Sequence, residues 1–280
     1  MFYLLNRFIQ MKILYSNNDL NEALKHVKNL GFVPTMGSLH RGHLSLVRSS
    51  MKRCKKTLVS IFINPTQFNN EKDYKNYPKN IKKDLLILKK LKVDFVYIPS
   101  QKQVYSLKKK SKIKIDKKNQ ILCAKFRKGH FEGVLDVMER LTNLVKPKKI
   151  FMGEKDFQQL YLVKNNIKKK IKGLIVPCKT IRDENKLALS SRNIHLNKNE
   201  LLRAGKLAQH LISFKKKLVN KKKITNLINI EKKYLNNIFN IKIEYLELRN
   251  KLNLKRTNKV NNSRLFIAYY LKKIRLIDNF

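Results

Sequence analysis

Apolar and polar positions along this chain alternate between two periods. Short runs rich in β-branched and aromatic residues (Gly31-Phe32-Val33, Leu58 to Ile63, Val93 to Ile98, Ile150 to Met152, Leu174 to Val176) read as buried strands. Between them Leu44, Val47 and Met51 recur at helical spacing, and Ile81 to Leu91 and Val134 to Val145 read as helices. Strand and helix in alternation predict a Rossmann-like α/β fold, a parallel sheet covered by helices. After about residue 183 the texture changes to long Lys-rich helical segments and two strand-like runs, Ile243 to Leu248 and Leu265 to Leu271. The expected organisation is a Rossmann-like unit over 11–183 and a smaller α+β unit over 184–280, with a linker running into Ser190-Ser191. Residues 1–10 are apolar with one Arg, too short to span a bilayer and without a small-residue cleavage site, so they read as an extension, with Met11 an alternative start.

Composition adds less than it first suggests. The 280 residues are 42% hydrophobic, enough to bury a core, and 64 Lys and Arg against 19 Asp and Glu give a formal charge of +45. Such a field attracts polyanions. Yet the basic residues run the length of the chain, as in Lys108-Lys109-Lys110, Lys168-Lys169-Lys170 and Lys221-Lys222-Lys223, mixed with Asn and Ile. That texture fits AT-biased codon drift better than a dedicated nucleic-acid surface. Cys54, Cys123 and Cys178 lie far apart, which indicates neither a disulfide framework nor a zinc site and suits a reducing cytoplasm.

The chemistry gathers where strands are expected to end, the place where ligands bind in open α/β sheets. Met36-Gly37-Ser38-Leu39-His40-Arg41-Gly42-His43 sets two imidazoles around a glycine between a strand and a helix. A glycine-containing loop at a helix start directs backbone N–H groups and the positive helix end at an anion, here expected to be phosphate. Asn64-Pro65-Thr66-Gln67 offers an amide that donates and accepts. Arg127-Lys128-Gly129-His130 is a basic loop before a helix. Gly153-Glu154-Lys155-Asp156 opens another helix, with Gln159 one turn on, and Leu189-Ser190-Ser191-Arg192 offers two hydroxyls and a guanidinium. Each segment alone also reads as an ordinary turn or helix start.

Taken in this order, the five segments resemble the pantoate–β-alanine ligases of the nucleotidylyltransferase superfamily, from about Met11 to the end of the chain. Val59-Ser60-Ile61-Phe62-Ile63-Asn64-Pro65, Tyr245-Leu246-Glu247-Leu248-Arg249 and Arg275-Leu276-Ile277-Asp278-Asn279 resemble the family as well. The resemblance implies that pantoate attacks the α-phosphate of ATP to give pantoyl adenylate and pyrophosphate, and that β-alanine then displaces AMP to form pantothenate. Mg²⁺ accompanies the ATP. It further implies that Met36 to His43 line the nucleotide site, with His40 and His43 on the phosphates and His43 in the place usually assigned as proton donor. Gly153, Glu154, Lys155, Asp156, Ile181 and the run Leu189 to Arg192 contact ATP by the same implication. By the same resemblance Gln67 and Gln159 would grip pantoate, the C-terminal unit would act as a lid, and two copies would form a homodimer.

Two departures stand out. Lys128 replaces the proline usual in the Arg-Pro-Gly-His-Phe loop, and Lys186 replaces a glycine ahead of Leu-Ala-Leu-Ser-Ser-Arg, where a backbone that needed positive φ would be strained by a side chain. Competing readings are another His-x-Gly-His adenylyltransferase and a basic nucleic-acid-binding protein. The second needs aromatics interleaved with the lysine clusters or a recognisable binding module, and the sequence offers neither.

Overall fold

The computed structural model describes residues 10–105, 113–167 and 174–280. The extension at 1–10, apart from Gln10, lies outside the described residues, as do the runs Lys108-Lys109-Lys110 and Lys168-Lys169-Lys170. Among the described residues the chain runs β1 (Lys12–Leu14), α1 (Asn17–Leu24), β2 (Leu30–Thr35), α2 (Arg41–Arg53), β3 (Lys56–Ile61), α3 (Glu71–Lys75), α4 (Ile81–Lys90), β4 (Phe95–Tyr97) and α5 (Gln101–Val104). It continues through α6 (Cys123–Phe126), α7 (His130–Val145), β5 (Lys149–Gly153), α8 (Phe157–Ile167) and β6 (Leu174–Cys178). Last come α9 (Lys198–Lys217), α10 (Ile224–Ile238), β7 (Lys242–Asn250), β8 (Ser263–Leu271) and β9 (Ile274–Asn279).

The six strands β1 to β6 form one parallel sheet in the order β1-β4-β3-β2-β5-β6. Apolar residues alternate across it by the two-residue pleat. Phe32, Leu58, Ile150 and Ile175 enter the core on one face, while Val33, Val59, Val96, Phe151 and Val176 enter the core on the other. Because both faces are covered, the strands read as continuous apolar runs rather than as alternation. From β2 the chain proceeds to β3 on one side, and it later returns to place β5 on the other. The crevice at the carboxyl ends of β2 and β5 is therefore the topological switch point, where such sheets bind ligands.

β7, β8 and β9 form a separate antiparallel sheet packed with α9 and α10 around their own core, which includes Leu207, Leu211, Leu235, Leu246 and Ile267. This sheet also reaches into the first core, since Tyr245, Leu254, Phe266 and Ala268 are buried there. The two layers meet across shared apolar surface.

The expected strands and helices are present with shifted ends. The third strand stops at Ile61 because Asn64 caps the turn Pro65–Gln67, and α7 starts at His130 because Gly129, at φ 78°, releases the chain into the helix. β1, β9 and the helices α1, α3, α5 and α6 are not among the elements expected from the sequence. β9, Ile-Arg-Leu-Ile-Asp-Asn, carries too few apolar residues to register alone and is specified by its pairing with β8.

Candidate active site

A cleft of about 1020 Å³ opens at the carboxyl ends of β2 and β5. His40, Gly42, His43, Gln67, Lys155 and Arg192 all line it. Parallel pairing of β2 with β5 sets the loops after Thr35 and after Gly153 side by side, which brings residues more than a hundred positions apart into one wall.

His40 is the N-cap of α2, and its Nδ1 accepts the Gly42 N–H at 3.1 Å. His43 Nδ1 in turn accepts the His40 N–H at 3.3 Å, and the two ring centroids lie 4.1 Å apart. With both Nδ1 atoms accepting, the proton of each neutral ring sits on Nε2, the free edge. Burial lowers the pKa of His40 to about 4, with the Lys155 charge adding to the effect. Burial and the neighbouring His40 take His43 to about 3. Both rings are thus neutral Nε2–H donors at neutral pH. Gly42 also makes room for the ring, because a Cβ there would lie 2.8 Å from His40 Cε1.

The loop before these histidines differs from the free anion nest expected from the sequence. Ser38 N–H and Leu39 N–H both donate to the Asp84 carboxylate at 2.8 Å, and Gly37 N–H donates to Thr35 Oγ1 at 3.1 Å. A buried internal anion has taken the backbone donors, so the imidazoles supply those that face the cleft. Gly37, Ser38, Leu39 and Arg41 do not line the cleft, whereas Met36 does.

Gln67 is held from three sides. Its Oε1 accepts Asn64 Nδ2 at 3.3 Å and its Nε2 lies 2.8 Å from Met36 Sδ, while His130 Nδ1 donates to its backbone oxygen at 2.6 Å. Asn64 Nδ2 also reaches Gly133 O at 3.2 Å, and α7 comes so close that a Cβ on Gly133 would sit 2.3 Å from Thr66 O. With its proton on Nδ1, His130 uses Nε2 to accept Arg127 Nη1 at 2.9 Å. Burial, then the Arg127 charge, lowers its pKa to about 3. Arg127 itself falls to about 10 through burial and the nearby Arg192 charge, and so remains a cation. Lys128 is exposed, and its carbonyl accepts from the Asn69 side chain.

From β5 the turn Glu154–Asp156 presents Lys155, whose ammonium lies 3.6 Å from Asp156 Oδ1. Burial works to raise the Asp156 pKa, but Lys155 and Arg192 outweigh it and keep the carboxylate ionised. Gln159 lines the cleft, whereas its neighbour Gln158 turns away to the Asn119 and Ile121 carbonyls. Gly153, Ile181, Leu189, Ser190 and Ser191 also line it. Ser191 Oγ donates to Ser38 O at 3.3 Å, and Arg192 pairs with Asp73 at 3.0 Å. Glu154 is not part of the lining and pairs with Arg264 at 2.9 Å.

The sequence reading missed Asp73, Tyr270 and Lys273, which also face the cleft. The last two sit on β8 and the turn before β9, where nothing in the linear pattern sets them apart from other lysines and tyrosines. Lys186 has φ 70°, the left-handed backbone expected where the resembling family has glycine.

The arrangement suits a polyanion held between imidazole N–H groups, a lysine and arginines, with amides alongside for a hydroxylated carboxylate. The chain matches the pantoate-beta-alanine ligase family over residues 12–280. It is 38% identical over 273 residues to the pantothenate synthetase of Francisella tularensis subsp. mediasiatica, covering 94% of this chain and 93% of that one. The Thermosipho africanus pantothenate synthetase is 37% identical over 260 residues, at 92% and 94% coverage. Among solved structures, the Thermus thermophilus pantothenate synthetase superposes with a TM-score of 0.90 at 30% identity, covering 96% of this chain and 99% of that one. The Francisella tularensis pantoate-beta-alanine ligase, solved with beta-gamma ATP and beta-alanine, gives 0.81 at 35% identity, covering 96% and 97%. With this architecture, these cleft residues and these full-length relatives, the chain belongs to the pantoate-beta-alanine ligase family.

Proposed function

We propose that this cleft condenses pantoate with β-alanine at the expense of ATP, in two displacements. A pantoate carboxylate oxygen attacks the α-phosphorus, the bond to the bridging oxygen breaks, and pyrophosphate leaves. The β-alanine nitrogen then attacks the carbonyl carbon of pantoyl adenylate, loses a proton, and expels AMP. A carboxylate reacts poorly with an amine until it carries such a leaving group, so the protein's main tasks are alignment and neutralisation of charge on the phosphates.

One observation carries this reading: neutral His40 and His43, presented after β2, share a cleft with Lys155 after β5 and with Ser191 and Arg192. In this reading the two Nε2–H groups donate to phosphate oxygens, and the neutrality of His43 favours a hydrogen bond over release of a proton. Lys155 and Arg192 meet the charge that leaves on pyrophosphate. Gln67 and Gln159 hold pantoate. The remaining assigned ATP contacts are Met36 to His43, Gly153 to Asp156, Ile181 and Leu189 to Arg192. Of these, Gly37, Ser38, Leu39, Arg41 and Glu154 act by shaping the walls rather than by side-chain contact.

Mg²⁺ bound with the triphosphate would neutralise its charge, and Asp156, an ionised carboxylate in the cleft, would be the residue to hold it. The sheet β7-β8-β9 acts as the wall that excludes water from the mixed anhydride. As a lid it can swing only by breaking buried contacts such as those of Phe266 and Ala268. The units 11–183 and 184–280, a homodimer and a cytoplasmic location are proposed from the family relationship alone. No described helix is long and apolar enough to cross a membrane.

The test is to incubate purified protein with ATP, Mg²⁺, pantoate and β-alanine. AMP should form only with both organic substrates, and labelled pyrophosphate should exchange into ATP with pantoate alone. AMP release without pantoate overturns the reading.

A further inference from the structure

β9 ends beside the turn that carries Lys155. Asn279 is 3% exposed, and its Nδ2 donates to Glu154 O at 2.9 Å and to Lys155 O at 2.8 Å. These carbonyls belong to the peptide planes immediately before and after Lys155. One amide group therefore fixes the two planes whose rotation sets φ and ψ of that lysine. Asn279 is itself oriented by Arg264, whose Nη1 donates to Asn279 Oδ1 at 2.5 Å. Arg264 also pairs with Glu154 at 2.9 Å and stacks over Phe157 at 4.6 Å, so it holds both sides of the junction. The Phe280 carbonyl is tied down by Lys215 Nζ at 2.9 Å.

We propose that Asn279 is a positioning residue for Lys155, so that the last strand of the chain sets the reach of the phosphate-binding lysine. This rests on the role given to Lys155 above. A lysine stem is flexible and loses much rotamer freedom when it grips a ligand, so a fixed starting backbone gives the most benefit at such a residue. The constraint passes from β8 through Arg264 to Asn279 at the end of β9, and from there to the turn after β5. It crosses from the antiparallel sheet to the parallel one.

The measurement is a calorimetric titration of the full chain with Mg-ATP in four proteins: wild type, Asn279→Ala, Lys155→Ala and the double variant. Loss of the side-chain amide is expected to weaken ATP about tenfold in the wild-type background and less than about twofold when Lys155 is already absent. Equal losses in both backgrounds, or no loss in wild type while Lys155→Ala is weakened, overturns the positioning role alone. Unchanged ATP binding in Lys155→Ala overturns the assignment of that lysine and this proposal with it. If Asn279→Ala does not fold, Arg264→Gln leaves the amide present but unanchored. A smaller loss of ATP affinity that also disappears with Lys155→Ala is then expected, and unchanged affinity overturns the proposal.

Discussion

His40 closes the N-terminus of α2 with Nδ1 and faces the cleft with its other edge, so one ring has a structural and a chemical task. The two tasks separate by substitution. Asparagine is among the best N-caps but has no donor at the Nε2 position. His40→Asn should therefore keep the thermal midpoint within a few degrees of wild type while pyrophosphate exchange falls about 10²- to 10³-fold, the usual cost of losing one oxyanion donor. Near-normal exchange would leave His40 with the cap alone. The protonation states give a second expectation. His40, His43 and His130 have folded pKa values of about 4, 3 and 3 against 6.5 when exposed. As pH falls below 6.5 the unfolded chain takes up protons at these positions and the folded chain does not. Their neutral form is thus no source of pH dependence well above 6.5, and stability declines as pH drops toward 4. In proton NMR, the ring Cε1–H signals of His40, His43 and His130 should show no titration above pH 5, and a shift near pH 6.5 in these signals counts against neutral cleft rings.

At the scale of the element, the hairpin around Lys186 shows a local rule being broken. Asp183 N–H donates to Leu187 O at 2.9 Å, Leu187 N–H donates to Asp183 Oδ1 at 2.9 Å, and Lys186 closes the turn in the left-handed region. Its side chain is exposed, so removing it forfeits no packing. Lys186→Gly is expected to raise unfolding free energy by about 1 kcal/mol, read from urea midpoints at constant slope; a lower midpoint refutes the strain. The same scale shows why strands and helices were legible and their ends were not. Val59, Val96 and Phe151 are apolar because both sheet faces are covered, and that pattern survives in the linear sequence. The end of β3 and the start of α7 depend on the cap at Asn64 and on the backbone of Gly129, single residues with no periodic signature.

Across the whole molecule, the segment after β6 is pinned to β9 where Arg182 meets Asp278 in a two-pronged pair, at 2.6 and 2.8 Å. Asp278 is only 7% exposed, so removing its partner leaves a buried carboxylate with the Asn279 N–H as its remaining hydrogen bond. Arg182→Ala should cost about 3–5 kcal/mol, measured by chemical denaturation, and a loss under about 1 kcal/mol would mean that the junction relaxes and admits water. The alternation of apolar runs with helical periods fixed a parallel α/β sheet from the sequence alone, because burial on both faces is written into the central strands as continuous apolar runs. The ordered motifs also placed the chemistry at the strand ends, since His40, His43, Gln67 and Lys155 stand in the turns and helix starts that follow apolar runs. Tertiary structure alone decided how those motifs work. Asp84 comes from α4 to take the loop N–H groups, and Asn279 arrives from the far end of the chain to hold Lys155. Linear spacing carries no trace of such contacts, because a hydrogen bond acts over about 3 Å in space whatever the separation along the chain.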